Sequence, residues 1–128
     1  MVLEKGKRIL LVDNHMATQK ACKKLFESHE LDVAETAAAA LVLAGDKKPD
    51  LVLLEVALAS HSGMEFLYEF STYSDWLRVP VLLYTQVKLQ DEVVRSHAFK
   101  QLNVKGYLYK PETMLKTLAS VAEKYLVS

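Results

Sequence analysis

The chain has 128 residues, 51% of them hydrophobic, and its 16 Lys+Arg balance 16 Asp+Glu. That length suits one compact domain, residues 1–128, with a real core, and the charge balance lacks the basic footprint of a nucleic-acid binder. No apolar stretch reaches the ~18 residues that span a bilayer, and the charged segment Met1 to Arg8 has no signal-peptide apolar region, so a cytoplasmic location without membrane contact is expected.

Strand and helix patterns then alternate along the chain. Arg8 to Val12 reads as a strand, and Met16 to Ser28 as a helix with Ala17, Ala21, Cys22, Leu25 and Phe26 on its apolar face. A short strand near Leu31 to Ala34 precedes an alanine-rich helix, Ala37 to Ala44, with Thr36 as N-cap and Gly45 as terminator. The turn Lys48-Pro49-Asp50 leads into a strand, Leu51 to Leu54. Gly63 opens a helix through Met64, Phe66, Leu67 and Phe70; a strand follows at Val79 to Tyr84 and a helix at Asp91 to Leu102. Tyr107 to Tyr109 is a last short strand. The final helix, Glu112 to Leu126, carries the stripe Met114, Leu115, Leu118, Val121, Ala122, Tyr125 and Leu126. Strands alternating with helices predict a doubly wound parallel sheet covered on both faces.

Four of these strands end on a polar or charged residue: Asp13, Glu55, Thr85 and Lys110. In an open parallel sheet the C-terminal strand ends converge on the crevice where binding occurs. Two acids, a hydroxyl and a lysine are therefore expected in one pocket. Cys22 is alone, which excludes an internal disulfide or a cysteine-based zinc site, and it reads as core. His15, His29, His61 and His97 lack a spacing that would place two on one helix face, and read as solvated or structural. No Gly-x-Gly-x-x-Gly, P-loop or Gly-x-Ser-x-Gly motif occurs, so no cofactor is implied.

Five segments together resemble the receiver domain of bacterial two-component response regulators. They are Ile9-Leu10-Leu11-Val12-Asp13-Asn14, Pro49-Asp50-Leu51-Val52-Leu53-Leu54-Glu55, Ser62-Gly63-Met64-Glu65-Phe66-Leu67, Val79-Pro80-Val81-Leu82-Leu83-Tyr84-Thr85 and Gly106-Tyr107-Leu108-Tyr109-Lys110-Pro111. The resemblance implies a flavodoxin-like five-stranded sheet in the order 2-1-3-4-5. It also implies that Asp13 and Asn14 occupy the acidic metal positions and Glu55 the phosphoacceptor position. Thr85 matches the switch hydroxyl, Tyr107 the aromatic that swings inward when the switch fires, and Lys110 the phosphate-binding lysine, whose bond to Pro111 is expected to be cis.

The departures from that pattern cluster in the pocket. Glu55 adds one methylene, about 1.5 Å, where the family has aspartate, and phosphoryl transfer depends on positioning. Asn14 removes a charge from the metal site, so Mg²⁺ is expected to bind weakly if at all, through Asp13 and Glu55. Gln86 puts bulk beside Thr85, and Ala57 to Ser60 lacks the family's proline and glycine. The resulting expectation is a pseudo-receiver that is not an enzyme, is not phosphorylated in the ordinary way and works by protein–protein contact. Its resting pocket should pair Lys110 with Glu55 and Asp13, leaving Thr85 unengaged and Tyr107 with no reason to turn inward. The alternatives are Glu55 reaching Thr85 as a permanent mimic of the phosphorylated state, a functional phosphoacceptor receiver, and a small-molecule module at the same crevice. Family resemblance places partner contacts on the last two helices and the strand between them, including Val93, Val94, His97, Tyr107, Tyr109 and Lys116; a histidine kinase or a fused output domain would be the kind of partner. Tyr107 and Tyr109 are expected to be partly presented there.

Overall fold

A computed structural model describes residues 6–58 and 62–126. The apolar runs form β1 (Arg8–Val12), β2 (Glu30–Ala34), β3 (Leu51–Leu54), β4 (Val81–Thr85) and β5 (Val104–Tyr109). They pair in parallel as one sheet in the order β2-β1-β3-β4-β5. The helices between them are α1 (Met16–Leu25), α2 (Ala37–Asp46), α3 (Met64–Phe70), α4 (Asp91–Val94), α5 (His97–Gln101) and α6 (Leu115–Leu126). Among the described residues no helix is long and apolar enough to cross a membrane.

The central strands are unbroken apolar runs because both sheet faces are covered. Alternate residues serve the two sides. Leu10, Val12, Val52, Leu54, Val81 and Leu83 pack with α2, α3 and Phe99 of α5. Ile9, Leu11, Leu51, Leu53 and Leu82 pack with Cys22 and Phe26 and with Leu118, Ala122 and Leu126 of α6. The small side chains of Ala37, Ala40 and Ala44 are buried, which lets α2 lie close to the sheet. Burial pushes the Cys22 thiol up to about 12, with the nearby Asp13 charge adding to the effect and Lys110 opposing it.

Thr36 caps α2 as expected, accepting from the Ala39 N–H at 3.1 Å. Gly45 does not terminate that helix, which runs on to Asp46 and caps at Lys47. The expected helix from Asp91 to Leu102 is two short helices. Ser96 is extended (φ −64°, ψ 151°), and its hydroxyl accepts from the Phe99 N–H at 3.3 Å. A serine that offers the backbone this alternative favours a cap over helix continuation. β4 starts at Val81, whereas β5 starts earlier than expected, at Val104.

The Lys110–Pro111 bond is not cis; no cis peptide occurs among the described residues. Pro111 instead sits near the start of a 3₁₀ turn, Lys110–Glu112, where its fixed φ suits the turn and its missing N–H is no loss. α6 therefore begins only at Leu115, and Met114 and Leu115 are exposed, so its buried stripe starts at Leu118. Asn103 is the one non-glycine residue with positive φ (59°) among those described. Its side-chain amide donates to Val79 O at 2.8 Å and Leu77 O at 3.3 Å, which ties the α5–β5 turn to the chain entering β4.

Candidate functional site

The parallel register carries the polar strand ends to one rim. Val12 lies beside Leu54, Leu54 beside Leu83, and Thr85 beside Tyr109. Just beyond the strands, the Asp13 N–H donates to Ala34 O and the Glu55 N–H to Val12 O, both at 2.9 Å. The ladder thus fixes the backbone that carries both acids. Gly63 holds the loop after β3 from above. Its N–H donates to Val56 O at 2.7 Å, and a Cβ there would lie 2.2 Å from Glu55 O, so only glycine allows the approach.

Asp13, Glu55 and Thr85 are fully buried, which is costly for charged groups unless they are paired. Lys110 Nζ donates to Asp13 Oδ2 at 2.6 Å and to Glu55 Oε1 at 2.9 Å. The lysine contact expected from the sequence is present, with Asp13 sharing it. The expectation for Thr85 fails: its hydroxyl donates to Glu55 Oε2. The extra methylene of glutamate lets one carboxylate reach the hydroxyl and the ammonium together. Backbone N–H groups complete its shell, Ala57 to Oε2 and Gln86 to Oε1, each at 3.0 Å. Burial pushes the Glu55 carboxyl up, but hydrogen bonds from Thr85, Lys110, Ala57 and Gln86 together outweigh it and hold the group below its ordinary value. The Gln86 side chain is exposed, so the bulk expected to fill the pocket points out of it.

Tyr107 also departs from expectation. Its hydroxyl donates to Val87 O and accepts from the Leu89 N–H, both at 2.9 Å. The ring is half-buried against the core on the α2, α3 and α5 side. Thr85 Oγ1 in turn accepts from the Val87 N–H at 3.0 Å. A hydroxyl has one donor and two acceptor positions, so Thr85 can serve Glu55 and Val87 at once. A continuous chain of hydrogen bonds therefore runs from Glu55 through Thr85 and the 87–89 loop to Tyr107. Tyr109 is half-buried, with Lys88 Nζ 5.7 Å from its ring centroid.

His15 is the site residue that sequence reasoning missed. Its N–H donates to Asp13 Oδ1 at 2.8 Å, and its Nδ1 lies 2.8 Å from the same oxygen. An Asp followed two residues later by a loop N–H is an Asx turn, the one local signal available. The contact is with Asp13 alone, and it brings His15 near Glu55 from another strand end, which helical spacing does not reveal. Ligand atoms of Asp13, His15 and Glu55 lie within 4.8 Å of one another. His29 bridges the Lys7 N–H and Glu123, and His97 is exposed. His61 lies outside the described residues, as do Ala59 and Ser60 of the loop.

The Mg²⁺ that the family resemblance implies does not fit this donor set. Both oxygens of each carboxylate already accept hydrogen bonds from within the chain. Lys110 lies between the two acids, imidazole is a poor Mg²⁺ ligand, and Asn14 offers only a neutral amide oxygen, itself buried without a hydrogen-bond partner among the described residues.

The family model for the response regulator receiver domain matches residues 9–122. The chain belongs to this family. Protein PilH of Pseudomonas aeruginosa is 28% identical over 119 residues, which cover 89% of this chain and 96% of PilH. Response regulator Rcp1 of Synechocystis is also 28% identical, over 84% of this chain and 79% of its own. The transcriptional regulatory protein YdfI of Bacillus subtilis is 26% identical, but this chain spans only 53% of its length. Among solved structures, the Mn²⁺-bound form of Rcp1 superposes with a TM-score of 0.79 at 26% identity, covering 95% of this chain and 96% of that one. Vibrio cholerae CheY4 gives 0.81 at 20% identity over 94% of this chain and 99% of its own, a likeness of fold alone. The receiver family and its role in two-component signalling thus follow from the match over most of the chain, and the fold expected from the five segments is the one observed.

Proposed function

We propose that this receiver domain is pre-set: Glu55 holds the pocket in a switched arrangement without phosphorylation, and the domain signals by protein–protein contact. One observation carries the reading. A single buried carboxylate gathers the Thr85 hydroxyl, the Lys110 ammonium and two backbone amides. By the family resemblance, Thr85 and Lys110 are the groups that would otherwise grip a phosphoryl group on the residue after β3. The inward Tyr107 favours the permanent mimic over the inert ion pair. A carboxylate carries one charge where an aspartyl phosphate carries nearly two, so its extra hydrogen bonds stand in for the missing charge.

The partner surface in this reading is α4, α5, β5 and α6. Val93, His97 and Lys116 are exposed there, while Val94 and Tyr109 are half-buried. Tyr107 contributes indirectly, by holding the 87–89 loop.

The test is incubation with acetyl phosphate and Mg²⁺ followed by intact mass measurement. The wild-type chain should gain no phosphoryl group, whereas Asn14→Asp combined with Glu55→Asp should gain one. A stable phosphoryl adduct on wild-type protein would establish the phosphoacceptor receiver instead.

A further inference from the structure

A second cleft opens at the pole opposite Glu55, where the chain enters β1, β3, β4 and β5. It has a volume of about 340 Å³, and its rim carries Lys7, Lys48, Arg78 and Lys105. All four are exposed, and none makes a side-chain hydrogen bond or ion pair among the described residues. The chain as a whole has a formal net charge of zero, so four cations without a partner among the described residues, against the single acid Asp50, mark a local imbalance. Asp50 is the only acid in the lining among the described residues, and its carboxylate, still charged, accepts from the Arg8 N–H at 2.8 Å. Behind the rim, the lining includes Pro49, Val79 and Leu126, all buried, and the half-buried Tyr125.

We propose that this cleft binds a small organic anion with at least two negative charges on a flat apolar body, the chemistry of a nucleoside phosphate. The volume falls at the low end of the range for small-molecule sites, and an apolar lining with a few converging polar groups is their usual make-up. Cations lining one concave surface raise its potential and attract anions. The partly exposed Pro80 and Tyr125 supply the apolar surface that distinguishes this ligand from a bare inorganic ion, which would use the rim alone. Tyr125 and Leu126 bring the C-terminal part of α6 to the cleft, where its carbonyls oppose an anion, so the four rim cations must outweigh them.

ADP is a suitable probe, titrated by calorimetry and by NMR chemical shift at low salt and without Mg²⁺. A dissociation constant on the order of 0.1 mM is expected, weakening between low and 0.5 M salt as exposed charges are screened. Shifts should centre on Lys48, Arg78, Lys105 and Tyr125, leaving the amides of Gln86 and Ala57 unmoved. Adenosine and pyrophosphate should each bind at least about tenfold more weakly than ADP. Arg78→Glu and Lys48→Glu should each weaken ADP about five- to tenfold while leaving the melting temperature without ligand within a few degrees of wild type. Three results overturn the proposal: no saturable shifts at millimolar ADP, pyrophosphate binding as well as ADP, or affinity unchanged by both charge reversals.

Discussion

At the residue scale, the pocket turns on one methylene. An aspartate at position 55 would carry its carboxylate closer to β3, whereas glutamate reaches Thr85 Oγ1 and Lys110 Nζ together. The hydrogen bonds that hold the Glu55 carboxyl below its ordinary value make its ionisation a contributor to stability. In the unfolded chain the group titrates near its ordinary value of about 4.3. The native state therefore binds fewer protons in that range, and the contribution is complete above that value and lost as pH falls through the native one. The melting temperature of the wild-type chain should drop more steeply below about pH 4.5 than that of Glu55→Gln, which has no charge there to lose; parallel acid limbs would show that Glu55 is not the group responsible. Lys110 is the other half of the balance, with its side chain 8% exposed between two buried acids. Lys110→Ala leaves both acids without their counter-charge and should cost about 3–5 kcal/mol in urea unfolding at pH 7.

At the scale of elements, most boundaries were legible because they rest on period and punctuation. Leu51 to Leu54 is apolar at every position since both of its faces are buried, and Thr36 announces α2 as an N-cap. Positions where two local preferences compete were not legible. Gly45 reads as a terminator, yet tertiary packing of Ala44 keeps the helix going past it. No atom lies within 4 Å of a Cβ built at Gly45, and no glycine among the described residues has positive φ. Gly45→Ala should therefore stabilise the fold by about 0.5–1 kcal/mol, seen as a higher midpoint in urea with an unchanged slope. The opposite case is Ser96, where a helix-compatible run is broken by a side chain that caps its own successor. The trans Lys110–Pro111 bond belongs here too. Its geometry depends on the 3₁₀ turn that the following residues form, and no spacing in the sequence reports that turn.

At the scale of the whole molecule, the convergence of Asp13, Glu55, Thr85 and Lys110 was readable from the strand ends, because parallel topology forces it. What those groups then bond to was not, since His15, the amides of Ala57 and Gln86, and the turn of Tyr107 depend on loop paths that carry no period. Those loop paths give the pocket its reach. Glu55 bonds Thr85, Thr85 accepts from Val87, and Tyr107 clasps Val87 and Leu89 just ahead of α4. If that chain holds the 87–89 loop, then cutting it at Glu55 should loosen a segment that Glu55 never touches. In Glu55→Ala, Thr85 loses its acceptor and its hydroxyl becomes free to rotate away from the Val87 N–H. Amide hydrogen exchange at Val87 and Leu89 should then quicken by about tenfold or more, equivalent to about 1.4 kcal/mol of lost local stability. Exchange in β2, at the far edge of the sheet, should change only with global stability. Thr85→Ala should give the same pattern, and the double variant should add little, because both substitutions break one chain. Equal acceleration in every strand would mean that Glu55 supports the fold in general and does not set the face proposed for partner contacts.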